Sequence, residues 1–537
     1  MTTTTTGTTT MTMTGKQQYS EKLPRFIPNT VDEETAKWLD ECMTSLEARQ
    51  KTYQTFRDYY DGNHRIRLTA RAKKYLQASG YPYAHNLCER VVDSLVDRLE
   101  VQSIAVKVQF PKDELPGEKT NLGQRLKEKL KPATAATPPK DDQALELDTE
   151  EAHEAREAAA GAIATEWLTQ RLEEVGFDEL GNIVHHEAAT GGDSYPGVYF
   201  DDEDQSPSLT YALPDNCVPK YKDGKPLELE CIVKARIATI AGLPITLVTI
   251  YYADRWENYA RSNSAWGQWI DPQTKTHVEP WLHANGKPRG VALGHIRNKN
   301  RGRQYGTSEL RTALPQQDAI NKRMVDADLV SDNQGYQQRW ATGIEGSSST
   351  LRNFPGSVWK TANVSARFGY FPAGDVAGVK SLIEMGVQHL AATTATPLHE
   401  LTTTGTPPSG EAKKTADTPL VKKIKDRILT ASGQWKRLFK MMVLMAIDHK
   451  LINVPGIENA RISIELQWVD PEPRNEKEHW EIQQAKQSSG VSKHTTLLED
   501  GYNPEREEQL RAQETNVQSA ALLSAVNAGD EFGDAPA

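Results

Sequence analysis

The stretch from Leu420 to Leu451 reads LVKKIKDRILTASGQWKRLFKMMVLMAIDHKL. Within it Leu420, Ile424, Ile428, Ala431, Trp435, Leu438, Met442 and Met445 recur every three or four residues, the spacing that stacks side chains on one face of a helix. Trp435 therefore belongs to a buried stripe, and Lys436 and Lys440 to the polar face. At about 1.5 Å per residue such a helix is a rod of roughly 45 Å, and rods of that length build elongated subunits. Pro419 stands at its head, where a missing amide hydrogen delimits or kinks a helix.

Toward the N-terminus helical spacing returns at Ser308 to Asn333, interrupted by Pro315, and at Val376 to Thr393. Between Leu209 and Trp269 the pattern changes to short runs rich in β-branched and aromatic residues, separated by Pro, Gly and Asp, which predicts an antiparallel sheet. Asp32 to Arg57 carries Trp38, Leu39, Cys42, Met43 and Leu46 at helical spacing and ends in a Gly62 turn. A second amphipathic helix is predicted from about Ala84 to Leu99. From Phe110 to about Ala160 Pro, Lys, Glu and Ala dominate, which reads as an inserted loop; helices resume at Ala162 to Val175 and Ile183 to Thr190, ahead of a strand at Val198 to Phe200. The fold class is α+β, elongated and mostly helical.

The chain has 537 residues, 37% of them hydrophobic and 25% charged, the balance of a globular protein, and no apolar run approaches the roughly 20 residues that span a bilayer. The net charge of −10 argues against a surface that grips nucleic acid throughout, but not against a protein through which DNA slides. Cys42, Cys88, Cys217 and Cys231 are widely spaced and read as reduced thiols. Met1 to Gly15 is nearly pure threonine, without the features of a signal peptide, and reads as a disordered tail.

Motifs of catalysis are missing. No phosphate-binding Gly-x-x-x-x-Gly-Lys-Ser/Thr loop occurs, which argues against a motor ATPase. His185, His186 and Glu187 point in different directions on a helix and lack a further histidine at ligand spacing, so they read as a polar helix face. Asp201 to Asp204 lacks calcium-loop spacing and reads as a solvated turn. Gly192-Asp193-Ser194 is no nucleophile elbow. Trp256, Tyr259, Trp266 and Trp269 lack interleaved Arg and Lys and read as packing residues rather than base-stacking platforms. No enzyme, metal or cofactor is expected.

Four ordered segments resemble the portal proteins of siphovirus-type bacteriophages, in the branch common among actinobacteriophages. Tyr59-Tyr60-Asp61-Gly62 and the Asn86 to Leu99 helix are similar to that family's opening turn and helix. Tyr305 to Leu310, Gln316 to Lys322 and Gln338 to Gly343 are similar to its G-x-S-E turn, its QDAxN helix and its QRWATG run. Pro397 and Pro408 to Ala412 resemble its loop and helix start ahead of Trp435, and Trp468 with Pro471 its C-terminal region. Together they cover about Arg57 to Arg511.

The resemblance implies a portal subunit: a Thr-rich tail over 1–30, a wing over 31–306 with the inserted loop at 111–160, a stem helix at 307–334, a clip at 335–375, a second stem helix at 376–396, a tunnel loop at 397–410, a long wing helix at 411–455, a crown at 456–517 and a tail at 518–537. Such subunits form a dodecameric ring at a capsid vertex of the virion, after assembly in the host cytoplasm. Double-stranded DNA passes through the ring, and its other partners are the terminase large subunit, a head-tail adaptor, the major capsid protein and scaffold, with no membrane. Thr402, Thr403, Thr404, Gly405 and Thr406, with Lys322 and Arg323, are the residues expected at DNA, since hydroxyls touch phosphate without counterion-release affinity. Gln338, Arg339, Trp340 and Trp359 are those expected at the connector. The competing readings are a terminase ATPase or nuclease, against which the missing phosphate loop counts, and a capsid or scaffold protein, which has no need of the helix, loop and long-helix series.

Overall fold

The computed structural model describes residues 26–65, 73–74, 85–111, 149–240, 242–263, 265–271, 274–335, 339–344, 358–371, 376–402, 410–472, 476–499, 507 and 511. The chain divides into two compact units, one of 1–100 with 105–465 and one of 101–104 with 466–537.

In the first unit β1 (Phe26–Pro28) leads to α1 (Glu33–Tyr60), which starts where the Asp32 carboxylate accepts from the Thr35 amide at 2.8 Å and stops ahead of Gly62 at φ +80°. Then come α2 (Cys88–Val96), β2 (Val101–Gln109), whose first four residues belong to the second unit, α3 (Thr149–Glu174), α4 (Phe177–Gly191), β3 (Asp193–Asp201), β4 (Ser206–Ala212), β5 (Cys217–Tyr221), β6 (Leu229–Ile240), β7 (Leu243–Tyr251), β8 (Arg255–Ser262), β9 (Ala265–Trp269), β10 (Val278–Pro280) and β11 (Ile296–Arg297). The second half holds α5 (Leu314–Gly335), β12 (Arg339–Thr342), β13 (Arg367–Tyr370), α6 (Val376–Thr394), the single turn α7 (Leu398–Leu401), α8 (Gly410–Asp448) and β14 (Arg461–Trp468). The second unit adds the helices α9 (Glu476–Ser488) and α10 (Lys493–Glu499), joined by a bond from Gln487 Nε2 to Thr496 Oγ1 of 2.9 Å.

Helices and sheets share the chain, so the α+β class holds. A seven-stranded antiparallel sheet runs β1-β9-β8-β7-β6-β5 with β10 on β8; a three-stranded sheet runs β11-β3-β4; β12 pairs with β13 and β14 with β2. Two-residue alternation assigns β6 to both layers of the core: Cys231, Val233 and Ala235 meet Leu39, Cys42, Met43 and Leu46 of α1, while Ile232 turns to Tyr195, Val291 and Leu293 on the other side. Trp266 and Trp269 are buried in the sheet packing and Trp256 lies against Trp281, so the aromatic cluster is core. All four cysteines are free and buried.

Five expectations change. The span read as a loop to Ala160 holds the first turns of α3: Glu and Ala between Thr149 and Ala160 are strong helix formers, and this stretch docks on the end of β2 through Glu157 Oε1, which accepts from the Phe110 amide at 2.7 Å. Residues 112–148 lie outside the described residues. The long helix begins at Gly410, so Pro419 sits inside α8 rather than at its head; its ring costs one amide bond but its φ suits a helix. Pro315 is the second residue of α5, where no intrahelical bond is lost. Helix α2 is shorter than the spacing suggested, and Leu398–Leu401, expected in the tunnel loop, is a helical turn.

The stripe of α8 is where the sequence put it. Leu420, Ile424, Ala431, Trp435, Leu438, Met442 and Met445 are buried, Ile428 is half-buried and Lys440 is exposed. Trp435 is fully enclosed, edge-on to Phe177 at 5.1 Å and stacked with Phe439 at 5.6 Å.

Candidate channel and connector surfaces

Helices α5 and α6 form an antiparallel pair, since Gln316 Nε2 donates to Thr393 Oγ1 at 3.1 Å while, further along α5, Arg323 Nη1 donates to the Leu382 carbonyl at 3.3 Å. Gly386 permits the approach: a Cβ there would meet Ile320 at 3.0 Å and Arg323 at 2.9 Å. Ile320, Val325, Val387 and Leu390 fill the seam.

The faces turned outward carry charge in opposite-signed pairs four residues apart. Lys322 Nζ lies 2.7 Å from Asp326, and Lys380 Nζ 3.8 Å from Glu384. Lys322 is thus exposed and already matched by an anion, while Arg323 crosses to α6 instead of facing outward. Thr402 caps α7, its hydroxyl donating to the Leu398 carbonyl at 3.1 Å. Thr403, Thr404, Gly405 and Thr406 lie outside the described residues.

The ribbon of β12 and β13 follows α5 and precedes α6 in the chain, with Arg339 opposite Tyr370 and Thr342 opposite Arg367. Trp340 lies directly over Gly369. The Arg339 guanidinium stands 5.9 Å from the ring of Trp359, and that ring 6.3 Å from Phe368. The fold brings Arg339 and Trp359 together on one face of the ribbon, while Trp340, the next residue along β12, turns to the other face over Gly369; Gln338 lies outside the described residues. Trp340, Phe368 and Tyr370 on the two strands and Phe371 just past β13 are 38%, 43%, 66% and 55% exposed, a concentration of bare aromatics.

What fixes these elements to the body is a set of buried polar ties that spacing alone did not reveal. Gln317 Oε1 accepts from the Leu87 amide at 2.9 Å and its Nε2 donates to the His85 carbonyl; Asn321 Oδ1, one turn on, accepts from the His85 amide at 3.1 Å. Asp318 accepts from the Tyr59 hydroxyl at 2.7 Å, and Asp93 from Tyr60 at 2.9 Å. These are the polar letters of the segments singled out above, and each serves backbone or a ring from a distant part of the chain.

Glu309 anchors the approach to α5 from a 3-10 turn capped by Ser308. Its carboxylate, 1% exposed, meets Arg427 Nη2 at 2.8 Å, Lys299 Nζ at 2.9 Å and Lys423 Nζ at 3.7 Å, and Lys423 also donates to the Thr394 carbonyl at 2.9 Å, at the end of α6. Burial acts to raise the Glu309 carboxyl, but Lys423, Lys299 and Arg427 outweigh it and hold it at about 2. Burial lowers Lys423 to about 8 against the pull of Glu309.

Asp193, passed over in the sequence, is a second hub. It accepts from Arg49 at 2.6 Å, Tyr53 at 2.8 Å and the Gly306 amide at 2.6 Å, and faces His295 Nε2 at 2.9 Å. Gly306 has no room for a Cβ against the Gly192 carbonyl, which is why the chain can deliver that amide. Burial opposes ionisation of Asp193, yet His295, Arg49 and Gly306 hold it below the ordinary carboxylate range. His295 and Asp193 have fully buried side chains, so this pair has no route to a substrate and reads as a fastening.

His185, expected on a polar face, is buried: its Nε2 accepts from Trp435 Nε1 at 3.4 Å, and burial lowers it to about 4. His186 stands edge-on to Tyr60 and Glu187 pairs with Arg57 at 3.0 Å, so the three neighbours diverge. Asp204 pairs with Arg171 at 3.2 Å. Among the described residues no group of His, Cys, Asp or Glu could hold a metal ion, and no helix is long and apolar enough to cross a membrane.

The described residues present a body tied by buried polar side chains to a helix pair, with an aromatic ribbon between the two helices in the chain. The chain belongs to the phage portal protein family, SPP1 Gp6-like, whose model matches residues 39–519. It is 21% identical over 278 residues to the portal protein of Mycobacterium phage L5, a match covering 48% of this chain and 54% of that protein, so the chain spans about half the length of this curated relative. A chain from the solved neck of an empty GTA particle, computed with C6 symmetry, is 12% identical with a TM-score of 0.37, over 82% of this chain and 95% of that one.

Proposed function

We propose that copies of this chain close head-to-tail into a dodecameric ring at one capsid vertex of the virion, with α5 and α6 lining a passage for double-stranded DNA during packaging and ejection. The observation that carries the ring is the ribbon of β12 and β13. An isolated two-stranded ribbon is marginal in water, and this one, with Phe371 just past it, exposes four aromatic residues, so neighbouring copies are its natural cover. The ribbon is the clip, the place where the terminase large subunit and later a head-tail adaptor dock, with Arg339 and Trp359 on one face and Trp340 on the other. Residues 31–306 form the wing, 411–455 its long helix and 456–517 the crown, which face the major capsid protein and scaffold. The subunit performs no catalytic step, and assembly takes place in the host cytoplasm.

Charge pairing supports the passage. A cation already matched four residues away adds little counterion-release affinity, so the wall does not hold DNA still, and unpaired cations would be multiplied around the ring. Thr402 to Thr406 extend that wall as a loose collar. Electron microscopy of the purified protein should show closed rings with a central hole. Replacing Trp340, Phe368 and Tyr370 together by Ser should dissolve the rings while the subunit stays folded by circular dichroism. A compact monomer that hydrolyses ATP overturns the reading, as does a ring indifferent to the triple substitution.

A further inference from the structure

Arg98 follows α2 in a segment the sequence singled out, yet neither the helix pair nor the ribbon uses it. Its guanidinium Nη2 lies 3.4 Å from Glu400 Oε1 and 3.6 Å from Asp417 Oδ2. His399 Nε2 approaches the same two carboxylates, at 3.4 Å from Asp417 Oδ1 and 3.7 Å from Glu400 Oε1. Four groups from three elements thus converge: Arg98 from the end of α2, His399 and Glu400 from α7, and Asp417 from α8.

Asp417 is fully enclosed, with 0% of its side chain exposed, while Arg98, His399 and Glu400 are 22%, 20% and 30% exposed. Neither carboxylate oxygen of Asp417 accepts a hydrogen bond, and Arg98 Nη1 and His399 Nε2 likewise lack hydrogen-bond partners. A buried carboxylate without hydrogen bonds persists only where nearby charge compensates it, and the Arg98 guanidinium stands 3.6 Å from Asp417, with the His399 ring at 3.4 Å.

Packing holds α7 through one buried apolar side chain. The turn has four residues, too few for a helix to be stable alone, and of its apolar side chains Leu401 is buried but Leu398 is 41% exposed. It is approached through Ala395 at φ +53°, in the left-handed region that L side chains disfavour. A cavity of about 300 Å3 lined by Ala391, Thr396, Leu398, Ala416 and Pro419 lies beside it. A short turn reached through a strained residue and bordered by empty space takes its orientation from its charged contacts.

We infer that Arg98 and Asp417 are positioning residues, which with His399 and Glu400 form a half-buried clasp that fixes α7, and with it Thr402, against α8. The consequence for DNA rests on the proposed placement of Thr402 in the passage; the clasp itself does not. Because the four native cysteines are buried, a spin label on Thr402→Cys in assembled full-length protein reports this turn specifically. Arg98→Gln should speed the nanosecond rotation of that label about twofold or more. Arg98→Lys, which keeps the charge, should restore most of the immobilised signal, and a label on Ile237→Cys, 80% exposed on β6, should not respond. If Arg98→Gln fails to assemble, His399→Gln at the rim of the cluster serves with the same expectation. An unchanged Thr402 label in an intact ring, or loosening equal at Ile237, overturns the clasp. Loosening confined to Thr402 with normal DNA filling upholds the clasp and removes the turn from the passage.

Discussion

Glu309→Gln keeps the shape of the side chain and removes its charge, leaving Lys299, Lys423 and Arg427 without their common anion. The carboxyl held at about 2 instead of 4.5 corresponds to roughly 3 kcal/mol in favour of the ionised form, at about 1.4 kcal/mol per pH unit. Breaking one partner out of a buried ion cluster costs about 3–5 kcal/mol in other proteins, which agrees. The expected loss at pH 7 is therefore about 3 kcal/mol. Little of it is relieved by repacking, because the Lys423 and Arg427 side chains are only 9% exposed and water cannot take over the role of the carboxylate.

The pH dependence separates this cause from simple misfit. A carboxyl whose folded value lies below its unfolded value contributes stability that is complete above about 4.5 and lost as pH falls through about 2. The native protein loses this contribution on acidification and the Gln variant has none to lose, so the gap between them narrows from pH 4.5 downward. On the alkaline side Lys423, already lowered to about 8, falls further without Glu309, so the unfolded chain binds the extra proton over a wider range and the variant gains stability from pH 7 to 8 where the native protein does not. Urea unfolding followed by tryptophan fluorescence from pH 3 to 9 measures both slopes. A gap below about 1 kcal/mol at pH 7, or one that stays constant toward pH 3, refutes the assignment of Glu309 as the charge anchor.

Trp435→Ala should destabilise by about 3–5 kcal/mol, because the ring is fully enclosed between Phe177, Phe439 and His185 and its removal leaves a large cavity; an unchanged melting temperature would refute the packing. His185, lowered from 6.5 to about 4 by burial, makes the native protein lose roughly 3 kcal/mol as pH falls across that window, since the unfolded chain binds the proton first. His185→Gln keeps an acceptor for Trp435 and should flatten that slope, and parallel curves for the two proteins would show that His185 is not the group responsible.

Periodicity carried the helices and the core because both are local properties: the α8 stripe, the α1 stripe and the two-faced β6 are each decided within one segment. It failed where composition imitates another state. The Ala- and Glu-rich start of α3 has no aromatic residue and so resembled a loop, and Pro419 resembled a terminus because a helix tolerates the ring at the cost of one bond. Asp193 and Arg49 were invisible for a different reason. Each is an ordinary polar residue in its own segment, and the 144 positions between them hold no pattern that announces a 2.6 Å contact.

The family resemblance succeeded where periodicity was silent, and the ties give a physical reason. The segment at 85–88 packs against α5 with Leu87 and Cys88 buried, and part of its backbone lies outside any helix or strand, so the amides and carbonyls turned to α5 take side-chain partners. An amide side chain donates through its nitrogen and accepts at its oxygen, and two of them one turn apart, Gln317 and Asn321, serve the His85 amide and carbonyl and the Leu87 amide together. Asp318 between them is turned to Tyr59, and Ile320 to the seam with α6. Four neighbouring letters of the QDAxN segment thus meet different demands, which an apolar stripe does not impose and a catalytic motif would not need. A sharp local signature thus arises where irregular backbone packs beside a helix whose side chains must satisfy it.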